Sequence, residues 1–215
     1  MKLKREHLLL YGITSSEGMT AREFDRAVGE ALRGGMTCLQ LREKHMTEQA
    51  LISEAKRIGE ITRAYGVPLI INDNFRAAAE SGADGVHVGS EDMPVDEIRA
   101  MVGDNFIIGA TAKTPAQALA AAKSGADYLG VGAVFPSPTK TTAIRITSAQ
   151  LREICGSVQI PAVAIGGITA ENLHEIGGCG AAGIAVVSAL FGAEDIRKAA
   201  EILRQRCEEF VTAAD

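Results

Sequence analysis

A fourfold internal repeat is the feature that most limits the folds open to this chain. Each copy begins with a glycine where an amphipathic stretch ends, and it runs directly into an apolar strand. The copies are GMTCLQLR from Gly35, GADGVHVG from Gly82, GADYLGVG from Gly125 and GAAGIAVV from Gly180. Their glycines are 47, 43 and 55 residues apart. This spacing predicts that each copy opens a pair of strand–helix units.

Four further apolar runs lie between these segments and bring the predicted strands to eight. They cover residues 8–14, 68–73, 106–112 and 161–167. All are rich in Val, Ile and Leu, as expected of parallel strands buried on both faces. Helix-start signals separate the strands, namely Thr20 with Glu23, Thr147 with Gln150, and Thr114 before a proline. Eight alternating units predict a (β/α)8 barrel, and an open doubly wound sheet is the alternative.

Bulk properties narrow the class of protein further. The 215 residues contain no linker or composition shift, so we expect one domain over 1–215. A net charge of −5 without a basic run indicates neither a nucleic-acid nor a membrane partner. The apolar run near the N-terminus is too short for a signal peptide or a membrane span. Four dispersed cysteines without a C-x-x-C pair indicate free thiols in the cytoplasm rather than a zinc site.

Polar residues at the end of the second predicted strand indicate an anion site. Active sites of such barrels lie at the C-terminal ends of the strands. Alternation along QLREK directs Gln40, Arg42 and Lys44 inward. Two inward cations need an anion to offset their desolvation, and either a neighbouring carboxylate or an anionic ligand can supply it. Leu41 and Glu43 fall on the outward face, so replacing Glu43 by alanine should matter little to turnover.

Two neighbouring predicted strands lead into carboxylates. Asp73 ends the third strand, and Asp92 follows the fourth. Oxygen ligands with room for water suit Mg²⁺, which takes one or two carboxylates together with substrate phosphates. Helix capping is the alternative, because a helix-like segment follows each residue. Their position beside Arg42 and Lys44 favours the metal site.

The loop after the sixth strand is a third candidate for ligand binding. It offers hydroxyls and a cation in Ser137, Thr139 and Lys140. The inward positions of the preceding strand are Gly130 and Gly132, which leaves space for a ligand on that wall. An ordinary surface loop is the alternative interpretation.

The seventh and eighth strands end in segments that suit a phosphate group. Gly166 and Gly167 allow the main chain to approach an oxyanion, and barrels commonly bind phosphate at these two strand ends. A tight turn without ligand is the alternative. His87 should face inward as a hydrogen-bonded interior histidine rather than a general base. Thr111 and Lys113 end the fifth strand, and Lys113 is expected to be solvated.

These motifs resemble those of the thiamine-phosphate synthase family over about residues 8–191. They follow the family's order as QLREK (40–44), IND (71–73), GVHVGSEDMP (85–94), S-x-T-K (137–140), AIGGI (164–168) and VVSA (186–189). The resemblance implies a transferase that joins 4-amino-2-methyl-5-(diphosphooxymethyl)pyrimidine to thiazole phosphate and releases diphosphate. It also implies a dissociative reaction, in which diphosphate leaves, a pyrimidine-stabilised carbocation forms and the thiazole nitrogen attacks it.

The resemblance further implies which residues hold each group. The pyrimidine diphosphate would be held by Gln40, Leu41, Arg42, Glu43, Lys44, Asn72, Thr111 and Lys140. The thiazole phosphate would be held by Ser137, Pro138, Thr139, Gly167, Val187 and Ser188. Mg²⁺ would lie on Asp73 and Asp92, and the catalytic contacts would come from Arg42, Lys44, Thr111 and Lys140. A homo-oligomer is compatible with this set.

Some positions depart from the commoner family pattern. Thr111 stands where serine is usual and keeps the hydroxyl, whereas Lys113 replaces a frequent histidine. Ser90 replaces a common glutamine, Asn74 a frequent aspartate or arginine, and the TTAIRI loop after Lys140 is less typical. Two other functions stay open from the sequence. One is a thiazole tautomerase, which would not need paired carboxylates, and the other is a catalytically silent barrel that senses thiamine precursors.

Overall fold

Eight parallel strands close into one barrel in the computed structural model, which describes residues 2–136 and 144–212. Each strand pairs with its neighbours in chain order, and the last pairs with the first. This confirms the predicted (β/α)8 barrel and excludes the open sheet. The strands are β1 (Leu10–Ile13), β2 (Cys38–Leu41), β3 (Leu69–Asn72), β4 (Gly85–Val88), β5 (Ile107–Ala112), β6 (Tyr128–Gly132), β7 (Ala162–Ile165) and β8 (Gly183–Val186).

Helices cover the outside of the barrel. They are α1 (Ala21–Arg33), α2 (Glu48–Ala64), α3 (Phe75–Ser81), α4 (Val95–Val102), α5 (Pro115–Lys123), α6 (Ser148–Gly156), α7 (Ser188–Phe191) and α8 (Ile196–Thr212). The predicted start signals are confirmed, because the side chains of Thr20, Thr114 and Thr147 each accept a backbone N–H of the first helical turn. The helix bounds therefore follow from local sequence.

The connection between β7 and β8 differs from the others. Its helical content is one 3-10 turn, Leu173–Ile176, in place of an α-helix. Glycines follow this turn, and Gly178 and Gly180 have φ values of 67° and 83°. Such positive φ angles end a right-handed helix, and glycine adopts them without steric cost. Further 3-10 turns occupy Arg5–Leu8 and Gly103–Asn105.

Strand alternation divides the apolar side chains into two layers. Outward residues such as Leu39, Leu41 and Val86 are fully buried against the helices. A separate inward cluster, which includes Tyr11, Ile70 and Tyr128, fills the barrel interior below the mouth. The four cysteines are free thiols, as predicted. No helix in the described ranges combines the length and apolarity needed to cross a membrane.

Candidate active site at the barrel mouth

A cavity of about 360 Å³ opens at the C-terminal ends of the strands. Most of the predicted residues line it, and they lie in or just after β2, β3, β4, β5, β7 and β8. They are Gln40, Arg42, Lys44, Asn72, Asp73, Asp92, Thr111, Gly167, Val187 and Ser188. The structure therefore brings the predicted charged and polar groups to one rim of the barrel, as a mouth site requires.

Some predicted residues do not contribute a described side chain to this cavity. Leu41 is fully buried in the outer apolar layer. The Glu43 carboxylate turns away from the cavity and accepts hydrogen bonds from Thr14 and Ser16. The side chains of these two residues therefore lie outside the cavity, and their proposed part in substrate binding would have to come from the main chain. Ser137, Pro138, Thr139 and Lys140 lie outside the described residues.

Asp73 and Asp92 form an acidic pair on the rim. Partial burial raises the pKa of Asp73, and the charge of Asp92 and a hydrogen bond between the two carboxyls raise it further. The charge of Lys44 and a hydrogen bond from Asn72 act in the opposite direction. Two carboxyl groups close enough to share a hydrogen bond repel each other when both are ionised. The pair is therefore a place where a cation or a shared proton is stabilised.

Neither carboxylate caps a helix. The cap of α3 is Asn74, whose side chain accepts the Ala77 N–H at 2.8 Å. Helix α4 begins after Pro94 without a side-chain cap. Asp92 accepts the Gly89 N–H at 2.7 Å within the preceding turn, and Asp73 has a φ of 64° that turns the chain at the end of β3. The capping alternative is therefore wrong for both residues.

Arg42 and Lys44 line the cavity from the segment that follows β2, on the side next to the acidic pair. Arg42 is half-buried and Lys44 is exposed at the mouth. In the described part of the chain, neither residue forms an ion pair with Asp73 or Asp92, so the structural ion pair is not present. Lys113 is also half-buried on the cavity wall, at the end of β5, rather than solvated on the surface. Cations therefore flank the acidic pair on both neighbouring strands.

A chain of hydrogen bonds crosses the cavity floor. Gln40 donates to the Tyr11 hydroxyl at 2.9 Å, and the hydroxyls of Tyr11 and Tyr128 are 2.7 Å apart. His87 continues the chain, with Nδ1 3.1 Å from the Tyr128 hydroxyl and Nε2 3.1 Å from Thr111 Oγ1. Burial lowers the pKa of His87 to about 4. His87 is therefore the hydrogen-bonded interior histidine that the sequence predicted, and it is neutral near pH 7.

The turn after β7 is held against the loop that follows β6. Gly166 and Gly167 have φ values of 105° and 61°, and both line the cavity. Phe135 donates its N–H to the Gly166 carbonyl at 2.9 Å, and Asn172 donates its side-chain amide to the Gly167 carbonyl at the same distance. A side chain at Gly167 would overlap the backbone of Phe135 and Pro136. The close approach of two loops thus requires glycine here.

Sequence reasoning missed the tyrosines of the floor. Tyr11 lines the cavity and Tyr128 lies against it beneath the floor, and both are almost inaccessible to solvent. A signal was present for Tyr11, because it shares the inward face of β1 with Ile13. Tyr128 likewise stands two residues before Gly130, on the face already identified as inward. Each lies within an apolar run, and a buried phenol there requires a hydrogen-bond partner.

A closed (β/α)8 barrel with an acidic pair between cations at its mouth is the arrangement of an enzyme that acts on phosphorylated small molecules. The particular family follows from comparison with known proteins. The chain belongs to the thiamine monophosphate synthase family, whose model matches residues 10–190. This confirms the resemblance seen in the motifs.

Individual relatives agree with this assignment. Thiamine-phosphate synthase 2 of Streptococcus pneumoniae serotype 4 is 46% identical over 194 residues, which cover 90% of this chain and 92% of the relative. Thiamine-phosphate synthase of Alkaliphilus oremlandii is 42% identical over 205 residues, covering 94% and 98%. The solved thiamine phosphate pyrophosphorylase of Pyrococcus furiosus matches with a TM-score of 0.88 at 42% identity, covering 96% and 98%.

Proposed function

We propose that this chain synthesises thiamine phosphate by joining a pyrimidine diphosphate to thiazole phosphate with release of diphosphate. One observation carries the proposal, namely the acidic pair Asp73 and Asp92 set beside Arg42 and Lys44 around a single cavity. A departing diphosphate is a concentrated negative charge, and catalysis of its departure requires positive charge fixed in advance. A thiazole isomerase would have no use for the paired carboxylates.

The acidic pair fits Mg²⁺. The repulsion between the two carboxylates favours a divalent cation. Within the described ranges, no group of three or more metal-binding side chains occurs. Mg²⁺ typically takes one or two protein carboxylates and keeps its other positions for water and phosphate oxygens. Asp73 and Asp92 would hold the ion, and Asn72 supports Asp73 by a hydrogen bond. When bound, Mg²⁺ supplies neutralisation of the leaving diphosphate.

Arg42 and Lys44 bind and orient the diphosphate from β2. The guanidinium of Arg42 can donate two parallel hydrogen bonds to phosphate oxygens, and its partial burial strengthens them. Lys113 adds a cation from β5 on the far side of the acidic pair. Thr111, between Lys113 and the floor, offers a hydroxyl to the same substrate. The family motif adds Lys140 to this group.

The second substrate meets the opposite side of the mouth. Gly167, Val187 and Ser188 line the cavity there, and their backbone and hydroxyl groups suit a monophosphate. Ser137 to Thr139 complete this subsite in the family motif. The thiazole nitrogen carries a free lone pair, so the attack needs positioning but no general base. This agrees with the low pKa of His87, both of whose ring nitrogens are already hydrogen-bonded.

A direct assay tests the proposal. The purified chain is mixed with both phosphorylated precursors, with and without Mg²⁺, and thiamine phosphate is measured by liquid chromatography. We expect product only with the metal, and we expect Asp92→Ala and Lys140→Ala to reduce turnover far more than thermal stability. Lys123→Ala, on the exposed end of α5, is the matched control. Binding of both precursors without turnover would instead support a sensor, and rearrangement of a thiazole carboxylate phosphate an isomerase.

A further inference from the structure

Glu43 holds two loops of the mouth together without lining the cavity. Its Oε1 accepts the Thr14 hydroxyl at 2.8 Å, and its Oε2 accepts the Ser16 hydroxyl at 2.5 Å. Thr14 and Ser16 belong to the loop after β1, and Glu43 belongs to the loop after β2. Each carboxylate oxygen is therefore used, and each hydrogen bond to a charged acceptor is of the stronger kind.

The same cluster also fixes the backbone on either side of Arg42. The Thr14 hydroxyl accepts the Arg42 N–H at 2.9 Å, and the Thr14 N–H donates to the Gln40 carbonyl at 2.9 Å. Thr14 is fully buried. The carboxylate thus fixes the rotamer of the hydroxyl that holds the Arg42 main chain. Arg42 and Lys44 line the cavity whereas Glu43 between them does not, so an anchored Glu43 holds the short segment from which both cations project into the cavity.

We propose that Glu43 is a positioning residue of this site, which acts through Thr14 and Ser16 to aim Arg42 and Lys44 at the substrate diphosphate. The inference rests on the proposed function. It replaces the expectation from strand alternation alone that Glu43 is dispensable. A displacement of about 1 Å at such cations is enough to cost a large factor in rate, although the Glu43 carboxylate itself does not line the cavity.

Titration with inorganic diphosphate and Mg²⁺ tests this role separately from turnover. Calorimetry on Glu43→Ala should show diphosphate binding weakened about tenfold relative to the original chain. Glu60→Ala removes the same charge from an exposed position of α2 and should leave binding unchanged. In the full assay, KM for the pyrimidine diphosphate should rise while KM for thiazole phosphate stays the same. A general loss of structure would move both constants and the melting temperature together.

A double-mutant cycle tests whether Glu43 acts through Thr14. Thr14→Val should weaken diphosphate binding in the original chain and add little in the Glu43→Ala background, because both changes break one unit. If Glu43→Ala does not fold, Glu43→Gln and Ser16→Ala give the same test with smaller losses. Full diphosphate affinity in a folded Glu43 variant overturns the inference alone. Absence of product, with diphosphate binding still dependent on Glu43, overturns only the proposed function.

Discussion

The hydroxyl of Tyr11 lies 2.7 Å from that of Tyr128, across the floor of the barrel and 117 residues away in sequence. With Gln40 donating to Tyr11, we assign the Tyr11 proton to Tyr128 and the Tyr128 proton to His87 Nδ1, which gives every hydroxyl in the series one donor and one acceptor. We therefore place the proton of His87 on Nε2, where it is donated to Thr111. The Thr111 hydroxyl then accepts from below and keeps its own hydrogen for a ligand in the cavity.

Removal of one hydroxyl from this series of hydrogen bonds should destabilise the fold. Tyr128→Phe leaves Tyr11 without an acceptor and His87 Nδ1 without a donor, both in a buried region. We expect the free energy of unfolding to fall by about 1–3 kcal/mol, measured by urea denaturation. Tyr65→Phe is the control, because Tyr65 is exposed and should change stability by less than about 0.5 kcal/mol. Equal effects of the two variants would contradict a structural role for this series of hydrogen bonds.

Acid should destabilise the protein through His87. The folded pKa of about 4 lies below the unfolded value of 6.5, so the unfolded state binds more protons between these pH values. The contribution of neutral His87 to the free energy of unfolding is fully present above pH 6.5. It is lost as pH falls toward 4, by a total of about 3 kcal/mol. Urea denaturation across this pH range should show a free energy of unfolding that falls with pH in the unmodified protein. The same fall is expected in His45→Gln, which changes an exposed histidine. The fall should be largely absent in His87→Gln.

Asp73→Asn should separate stability from activity. It removes a charge whose partial burial, together with repulsion by Asp92, raises the Asp73 pKa, so we expect a higher melting temperature near neutral pH without Mg²⁺. Asparagine also tolerates the positive φ at this position. Because Asp73 is partly exposed to solvent at the mouth, the rise should be small.

Activity of the same variant should fall steeply, and addition of Mg²⁺ should no longer raise its melting temperature. Asp104→Asn makes the same chemical change in the 3-10 turn before β5 and should alter neither property. An Asp73→Asn protein that still gains thermal stability from Mg²⁺ would place the ion elsewhere.

Gly109 should not tolerate even one additional carbon. A Cβ at this inward position of β5 would overlap the ring of Tyr128. Gly109→Ala must displace that ring and with it the hydrogen bond to His87, at a cost of about 1–3 kcal/mol in unfolding free energy. Gly156→Ala, where a Cβ meets no atom within 4 Å, should be neutral or stabilising. Thermal denaturation of the pair distinguishes the steric effect from a general intolerance of alanine.

Local sequence was sufficient for the elements and for the side of each strand that faces inward. The caps at Thr20 and Thr147 depend on residues three positions away, and the inward set of β2 depends on alternation alone. The closed barrel follows from repetition of these units. Each of these properties is decided within a few residues of the chain.

Properties set by distant contacts were not accessible in this way. The partner of Tyr11 is Tyr128, and the partners of Glu43 are on the preceding loop. The direction of Lys113 depends on where the loop after β5 is held. The positive φ of Asp73 likewise follows from the turn between β3 and α3. These features are set by contacts that exist only once the barrel has closed.

The order of strands around the barrel divides the mouth between two stretches of the chain. Residues 40–92 supply the cations and carboxylates of β2 to β4, whereas residues 165–188 supply the glycine turn and the end of β8. In a ring of eight strands, β3 and β7 stand diametrically opposite each other. Under the proposed function, recombination between homologous genes at a crossover in β5 would therefore transfer the diphosphate-binding residues of β2 to β4 together, whereas Lys113 and Lys140 would be inherited with the thiazole-phosphate half.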